Sequence, residues 1–185
     1  MKEWKDINLE EDEIVFSLDV EKMFTNLKRE EIKKEIEKLI EEKEEIRGWK
    51  KEEIIKNLEY TWDNTYCTVE EEGIKIEEGL GIGSIMSPVL AEIIMKRWEK
   101  EKIEGERRIR NFRRYVDNSI GIWRGGKDTL EERVKEMEDE KKGIQLKLEV
   151  EKDKKITFLD IELERRRKDE GVRMKWYQKK ENAGI

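Results

Sequence analysis

The sequence predicts an α+β fold, an antiparallel sheet with helices packed on one face, and three observations carry that prediction. Short β-rich runs alternate with stretches whose apolar residues recur at helical spacing, in the order strand, two helices, hairpin, helix, hairpin, helix, strands. Two of the strand pairs read as hairpins closed by short turns. Finally, 185 residues suffice for one domain with a real core, and the chain shows neither an internal repeat nor a disordered linker.

Each element has its own signal. Ile14–Val20 is short, β-rich and bounded by charge, as a buried strand is. From Lys28 to about Arg47, Ile32, Ile36, Leu39 and Ile40 fall on one helical face, and Gly48 is a plausible stop. A second helix over Lys51–Trp62 carries Ile54, Ile55, Leu58 and Trp62. Tyr66–Val69 and Ile74–Ile76 flank a turn expected to use Gly73. The glycine-rich run Gly79–Ser84 leads to Ser87-Pro88, where Ser87 is expected to cap a helix bearing Leu90, Ile93, Ile94 and Trp98. Phe112–Val116 and Ser119–Trp123 pair as a hairpin turning at Asp117-Asn118. A helix with Leu130, Val134 and Met137 is expected to open on a Thr129…Glu132 capping box. Gln145–Val150, Ile156–Leu163 and Val172–Tyr177 read as strands.

Composition excludes several chemistries. The chain has no His and one Cys, Cys67, which removes imidazole catalysis, His-ligated metals, internal disulfides and four-ligand zinc sites. Any catalysis must therefore rest on carboxylates, Lys, Ser, Thr and Tyr. Charged residues make up 48% and hydrophobic ones 35%, with 41 basic against 47 acidic residues finely mixed, the pattern of salt-bridged helices. A net charge of −6 places any phosphate-binding surface locally rather than over the whole chain. No apolar run reaches transmembrane length and the start lacks a signal-peptide core, so the expectation is a soluble intracellular protein without membrane contact, its compartment and oligomeric state open.

Among 47 acidic residues, 37 of them Glu, two Asp stand apart by position. Asp19 ends an apolar strand, where an unpaired carboxylate is costly, and Asp117 lies at the tip of an apolar hairpin. Two strand-end carboxylates brought together supply the hard oxygen ligands that a two-metal phosphoryl-transfer site needs. A plainer reading stands beside it: Asp-Asn is a natural hairpin turn, and Asp19 could cap the following helix.

The order of motifs goes further. Phe16-Ser17-Leu18-Asp19-Val20-Glu21-Lys22-Met23-Phe24-Thr25-Asn26-Leu27 resembles the first palm motif of reverse transcriptases, most of all that of Penelope-like retroelements. Glu78–Glu92, with Gly83-Ser84 and Ser87-Pro88, resembles the second motif, and Arg114–Trp123, with Tyr115-Val116-Asp117-Asn118, the Tyr-x-Asp-Asp box. Gly143–Ile156 sits where a fourth motif would. Thr157-Phe158-Leu159-Asp160-Ile161 resembles the primer-grip motif, and Lys175–Lys180 corresponds loosely to the segment after it. The resemblance covers nearly the whole chain in the family's order.

This resemblance implies one palm domain over residues 1–185, with fingers and thumb lying outside it, acting as an RNA-directed DNA polymerase. By the same resemblance Asp19 and Asp117 hold two Mg²⁺ ions, with Mn²⁺ as a possible substitute, and Asn118 belongs to the catalytic group. Val20, Phe24, Gly83 and Ser84 contact the incoming dNTP, Phe24 by stacking under its sugar. Phe158, Leu159 and Asp160 place the primer end, and the partners are an RNA or DNA template with its primer. Phe24 also reads as a core residue, Gly83-Ser84 as an ordinary strand-to-helix turn, and Phe158–Asp160 as a core strand with a surface acid. The basic run Arg107, Arg108, Arg110, Arg113 and Arg114 would offset the field at the hairpin or form a solvated face. Three departures fall where the family's chemistry happens: Asn118 for the second Asp of the box, Ile76 for a Gln and Ile85 for a Pro. Activity is accordingly expected to be impaired, the alternative being a palm that no longer catalyses and binds only nucleic acid or protein.

Overall fold

The computed structural model describes residues 4, 7–41, 48–166 and 171–177. In chain order its elements are β1 (Glu13–Val20), α1 (Met23–Asn26), α2 (Arg29–Glu41), α3 (Lys51–Asp63), β2 (Tyr66–Val69), β3 (Glu72–Lys75), α4 (Ser87–Lys102), β4 (Ile109–Tyr115), β5 (Asn118–Arg124), α5 (Lys127–Met137), β6 (Leu146–Val150), β7 (Lys155–Phe158), β8 (Ile161–Arg165) and β9 (Val172–Trp176). The predicted α+β class holds, and the strand pairs are antiparallel. They form three sheets rather than one: β4-β5-β1-β6, β2-β3 and β7-β8-β9. Among the described residues no helix is long and apolar enough to cross a membrane.

The chain divides into two compact units. The first comprises Met1–Val20, Gly105–Met137 and Leu146–Ile185. On one face of its four-stranded sheet, Val15, Ile120 and Ile122 join Ile156, Phe158, Leu163 and Val172 of the three-stranded sheet, with Trp4, Ile7 and Leu9 closing the cluster. The other side of the strand alternation holds Phe16 and Leu18, both essentially unexposed. Leu130, Val134 and Met137 of α5 are buried as well, and Trp123, fully buried on β5, donates Nε1–H to Thr129 Oγ1 at 3.1 Å. Phe16 faces Gly121 across the β1–β5 ladder, where a Cβ would meet the Phe16 ring at 2.9 Å.

In the second unit, Glu21–Glu104 with Glu138–Gln145, α2 packs against α3 and α4. Ile32, Ile36 and Ile40 of α2, Ile55, Leu58 and Trp62 of α3, and Leu90, Ile94, Met95 and Trp98 of α4 form the buried stripes that helical spacing predicts. Leu39 is instead 46% exposed, and residues 42–47 of the expected first helix lie outside the described residues.

Several boundaries differ from the sequence reading, each for a local reason. The β2–β3 turn uses Glu70 and Glu71, at φ 50° and 71°, while Gly73 sits in β3 opposite Thr68. Ser87 is the first residue of α4 rather than its cap, and its hydroxyl donates to the Gly81 carbonyl at 2.7 Å. Helix α5 starts at Lys127, so Thr129 lies in its first turn and donates to the carbonyls of Gly125 and Gly126 instead of capping. The run Ile156–Leu163 is two strands, β7 and β8, with Leu159 at φ 53° in the turn between them. A short helix, α1, follows the first strand without any periodic signal, because four residues are too few to show one.

Among the described residues of the first unit, Glu13 is the buried charge, 1% exposed. Arg110 meets it through both arms of its guanidinium, at 2.8 and 2.6 Å, Arg124 approaches at 3.3 Å, and the Glu10 amide donates to it at 3.0 Å. Burial alone would raise the Glu13 pKa, but Arg110, the Glu10 amide and Arg124 outweigh it and hold the carboxyl below its usual value. A depressed folded-state pKa contributes stability above the unfolded value of about 4.3 that is lost as pH falls through the folded one. Urea denaturation should therefore show stability falling from about pH 5 downward, with Glu13→Gln less stable at neutral pH and flatter in that acid limb. Gly121→Ala should cost about 1–3 kcal/mol in the same assay, since the fully buried Phe16 ring would have to shift to admit the new methyl.

Candidate active site

Antiparallel pairing places cross-strand partners on one face of a sheet. In the first unit the register aligns Tyr115 with Asn118, Asn118 with Asp19, and Asp19 with Lys147, one row across β4, β5, β1 and β6. The β4–β5 turn is Val116-Asp117, one residue earlier than the expected Asp117-Asn118, because Tyr115 and Asn118 already pair. Val116 takes φ 57°, a value that β-branched residues rarely adopt. Two contacts hold the turn there: Arg114 donates to the Val116 carbonyl at 2.9 Å, and the Val20 amide to the Asp117 carbonyl at 3.0 Å. The backbone of β1 thus fastens Asp117 beside the strand that carries Asp19.

Asp19, Asp117 and Asn118 are all half-buried. Asn118 donates its side-chain Nδ2–H to Asp117 Oδ1 at 2.9 Å, so the amide occupies one oxygen of the neighbouring carboxylate. Among the described residues no three or more His, Cys, Asp or Glu side chains gather as a metal cluster. The donor set that remains, two Asp carboxylates and an amide, is all hard oxygen chemistry and fits a divalent cation such as Mg²⁺ with one negative charge fewer than three acids would give.

The other predicted residues separate. Val20 is buried at 2%, and its amide makes the bond to the Asp117 carbonyl. Phe158 is core, Leu159 is exposed in the β7–β8 turn, and the Asp160 carbonyl accepts from the Tyr177 amide at 2.8 Å. Phe24, Gly83 and Ser84 belong to the second unit. There Phe24 is half-buried, and its carbonyl accepts from the Leu80 amide at 2.6 Å. Gly83 is exposed at φ 90°, and Ser84 donates its amide to the Gly81 carbonyl at 3.2 Å. Gly83 and Ser84, but not Phe24, line a cavity of about 680 Å³ with Thr25, Asn64, Tyr66 and Ile76, within the size range of small-ligand sites.

The basic run is largely committed to local pairs. Arg108 stacks over Trp123 at 4.4 Å and binds Glu106 at 3.1 Å, Arg110 is held by Glu13, and Arg114 serves the turn. Two residues went unremarked in the sequence. Lys147 lies opposite Asp19, which only the strand register reveals, and pairs with Glu149 at 3.0 Å. Arg29 binds the loop before Gly83, and nothing distinguishes it among the basic residues of the chain.

The chain matches the family model for reverse transcriptase (RNA-dependent DNA polymerase) over residues 3–180. No curated protein matches it. Among solved structures it is similar to apo telomerase from Candida tropicalis truncated from its C-terminal domain, with a TM-score of 0.65 and 20% identity over 88% of this chain and 35% of that one. It is also similar to telomerase from Candida albicans in complex with a TWJ fragment of telomeric RNA, with a TM-score of 0.66 and 13% identity over 87% of this chain and 31% of that one. At such identities the likeness is one of fold, and the chain spans about a third of those proteins' length.

Gly79 supplies a check on the loop geometry. At φ 73° its backbone lies so close to α1 that a Cβ would stand 2.5 Å from the Thr25 carbonyl oxygen. Gly79→Ala should lower stability by about 2–3 kcal/mol in chemical denaturation, more than a left-handed backbone alone accounts for.

Proposed function

The chain belongs to the reverse transcriptase (RNA-dependent DNA polymerase) family, and from that premise we propose that it is the single palm domain of a Penelope-like retroelement polymerase. Its reaction would be RNA-directed nucleotidyl transfer from a dNTP to a primer 3′-end on an RNA or DNA template. The observation that carries the proposal is the acid end of the central sheet: Asp19 paired with Asn118, and Asp117 fastened to Val20. Telomeric RNA bound to a protein of the same fold supports a nucleic-acid partner.

In this reading Asp19 and Asp117 hold two Mg²⁺ ions, or Mn²⁺ in their place. Bound there, the cations supply Lewis-acid stabilisation of charge on the attacking 3′-oxygen and the leaving pyrophosphate. The chain does the positioning. Phe24 stacks under the sugar of the incoming nucleotide, Gly83 and Ser84 let the backbone approach the nascent pair, and Phe158, Leu159 and Asp160 set the primer end. Half-burial of Asp19 and Asp117 excludes part of the water that would screen their charge.

A second reading rests on its own observation. The Asn118 amide hydrogen-bonded to Asp117 occupies a ligand oxygen and removes a carboxylate, as in a palm that keeps the fold and binds nucleic acid or protein without catalysis. Primer extension on poly-rA with an oligo-dT primer, in Mg²⁺ or Mn²⁺, separates the two. On the catalytic reading Asn118→Asp raises extension by about tenfold or more, one ligand charge being worth at least about 1.4 kcal/mol in the barrier, and Asp19→Asn abolishes it. No product from the chain or from Asn118→Asp would leave the binding reading standing alone.

A further inference from the structure

We propose that Arg29 is a positioning residue that locks the glycine-rich loop in the conformation in which Gly83 and Ser84 are presented. The inference rests on the polymerase reading for what the loop does, and on this structure alone for how it is held.

Arg29 is the first residue of α2, where a cation opposes the helix dipole. The next two residues, Glu30 and Glu31, are the acids that such a position favours. Arg29 is thus poorly placed for its own helix, and its side chain is engaged elsewhere. Its Nε donates to the Gly79 carbonyl at 2.8 Å and its Nη2 to the Ile76 carbonyl at 2.8 Å. The guanidinium lies over the Trp62 ring, 5.5 Å from its centre. One planar fork therefore gathers two carbonyls three residues apart, and the indole beneath fixes the plane of the fork.

That grip lies upstream of a chain of contacts. Beyond Gly79, which is pressed against Thr25, Leu80 donates to the Phe24 carbonyl at 2.6 Å. The Gly81 carbonyl then accepts both the Ser84 amide at 3.2 Å and the Ser87 hydroxyl at 2.7 Å. Each link fixes the starting point of the next. The loop Gly79–Ser84 has three glycines in six residues and little intrinsic conformational preference, so its shape is set by such anchors. The same contacts tie the loop to the segment that carries Phe24.

Lys cannot replace this grip, because an ammonium is a point donor that neither spans two carbonyls in one plane nor stacks. Amide hydrogen exchange on the full chain, comparing wild type with Arg29→Lys and Arg29→Met, tests the inference without any ligand. Exchange at Leu80 and Ser84 should rise by roughly tenfold or more in Arg29→Met, with Arg29→Lys rescuing only part, as expected for loss of charge-assisted hydrogen bonds. Exchange at Ile94 and Met95 in α4 should not change. Unaltered exchange at Leu80 and Ser84, full rescue by Lys, or an equal rise throughout the second unit would each overturn the proposal, the last by showing a merely structural role. Where primer extension is measurable, Arg29→Met should raise the KM for dNTP more than it lowers kcat. Absence of extension with Arg29 intact would count against the polymerase reading and leave the exchange result to decide the anchor.

Discussion

The pairing of β1 with β5 is the constraint on which the first unit depends. It runs from Glu13 opposite Arg124 to Asp19 opposite Asn118, and a slip of one residue would turn every side chain to the other face. Three contacts of different kinds oppose that slip. At one end Glu13 is buried between Arg110 and Arg124, in the middle Gly121 leaves room for the Phe16 ring, and at the other end the Val20 amide reaches the Asp117 carbonyl. An ionic, a steric and a backbone contact thus fix the same register. The two acids are neighbours because that register leaves them no alternative.

The same constraint explains the strain in the turn. With Tyr115 and Asn118 paired, two residues remain to reverse the chain, and Val116 must take a left-handed backbone that its branched side chain disfavours. The cost, about 1–2 kcal/mol, is offset by the Arg114 and Val20 contacts to the turn carbonyls. Strain held at a turn in this way fixes the course of the backbone that carries Asp117, which a relaxed loop would leave undetermined.

How much of this was legible in the sequence follows from how local each signal is. The strand Glu13–Val20 and the helical stripes of Ile32, Ile36, Leu90 and Ile94 could be read because burial imposes a period on neighbouring residues. Turns misled where glycine preference pointed one way and pairing the other: Gly73 went into a strand while Glu70 and Glu71 took the left-handed positions. The division of Ile156–Leu163 was hidden because Leu159 gives no turn signal. Asp19 and Asp117 stood out by their place at strand ends. Lys147 and Arg29 did not, since a cross-strand neighbour depends on register and a side-chain grip on a distant loop depends on tertiary packing. In a chain with 41 basic residues, neither carries a local mark.

Asn118 bears on stability and chemistry in opposite directions. Three carboxylates crowded at one sheet end repel one another unless cations neutralise them, and that repulsion favours protonation or opening of the strand ends. An amide in the third position removes one charge and donates to Asp117, turning a repulsive pair into a hydrogen-bonded one. Lys147 opposite Asp19 adds a positive charge to the same row. The acid end of this sheet therefore tolerates the absence of a cation better than a three-acid site would, and attracts one less. The β1–β5 register thus fixes where residue 118 stands, and the side chain there sets the charge at that end of the sheet.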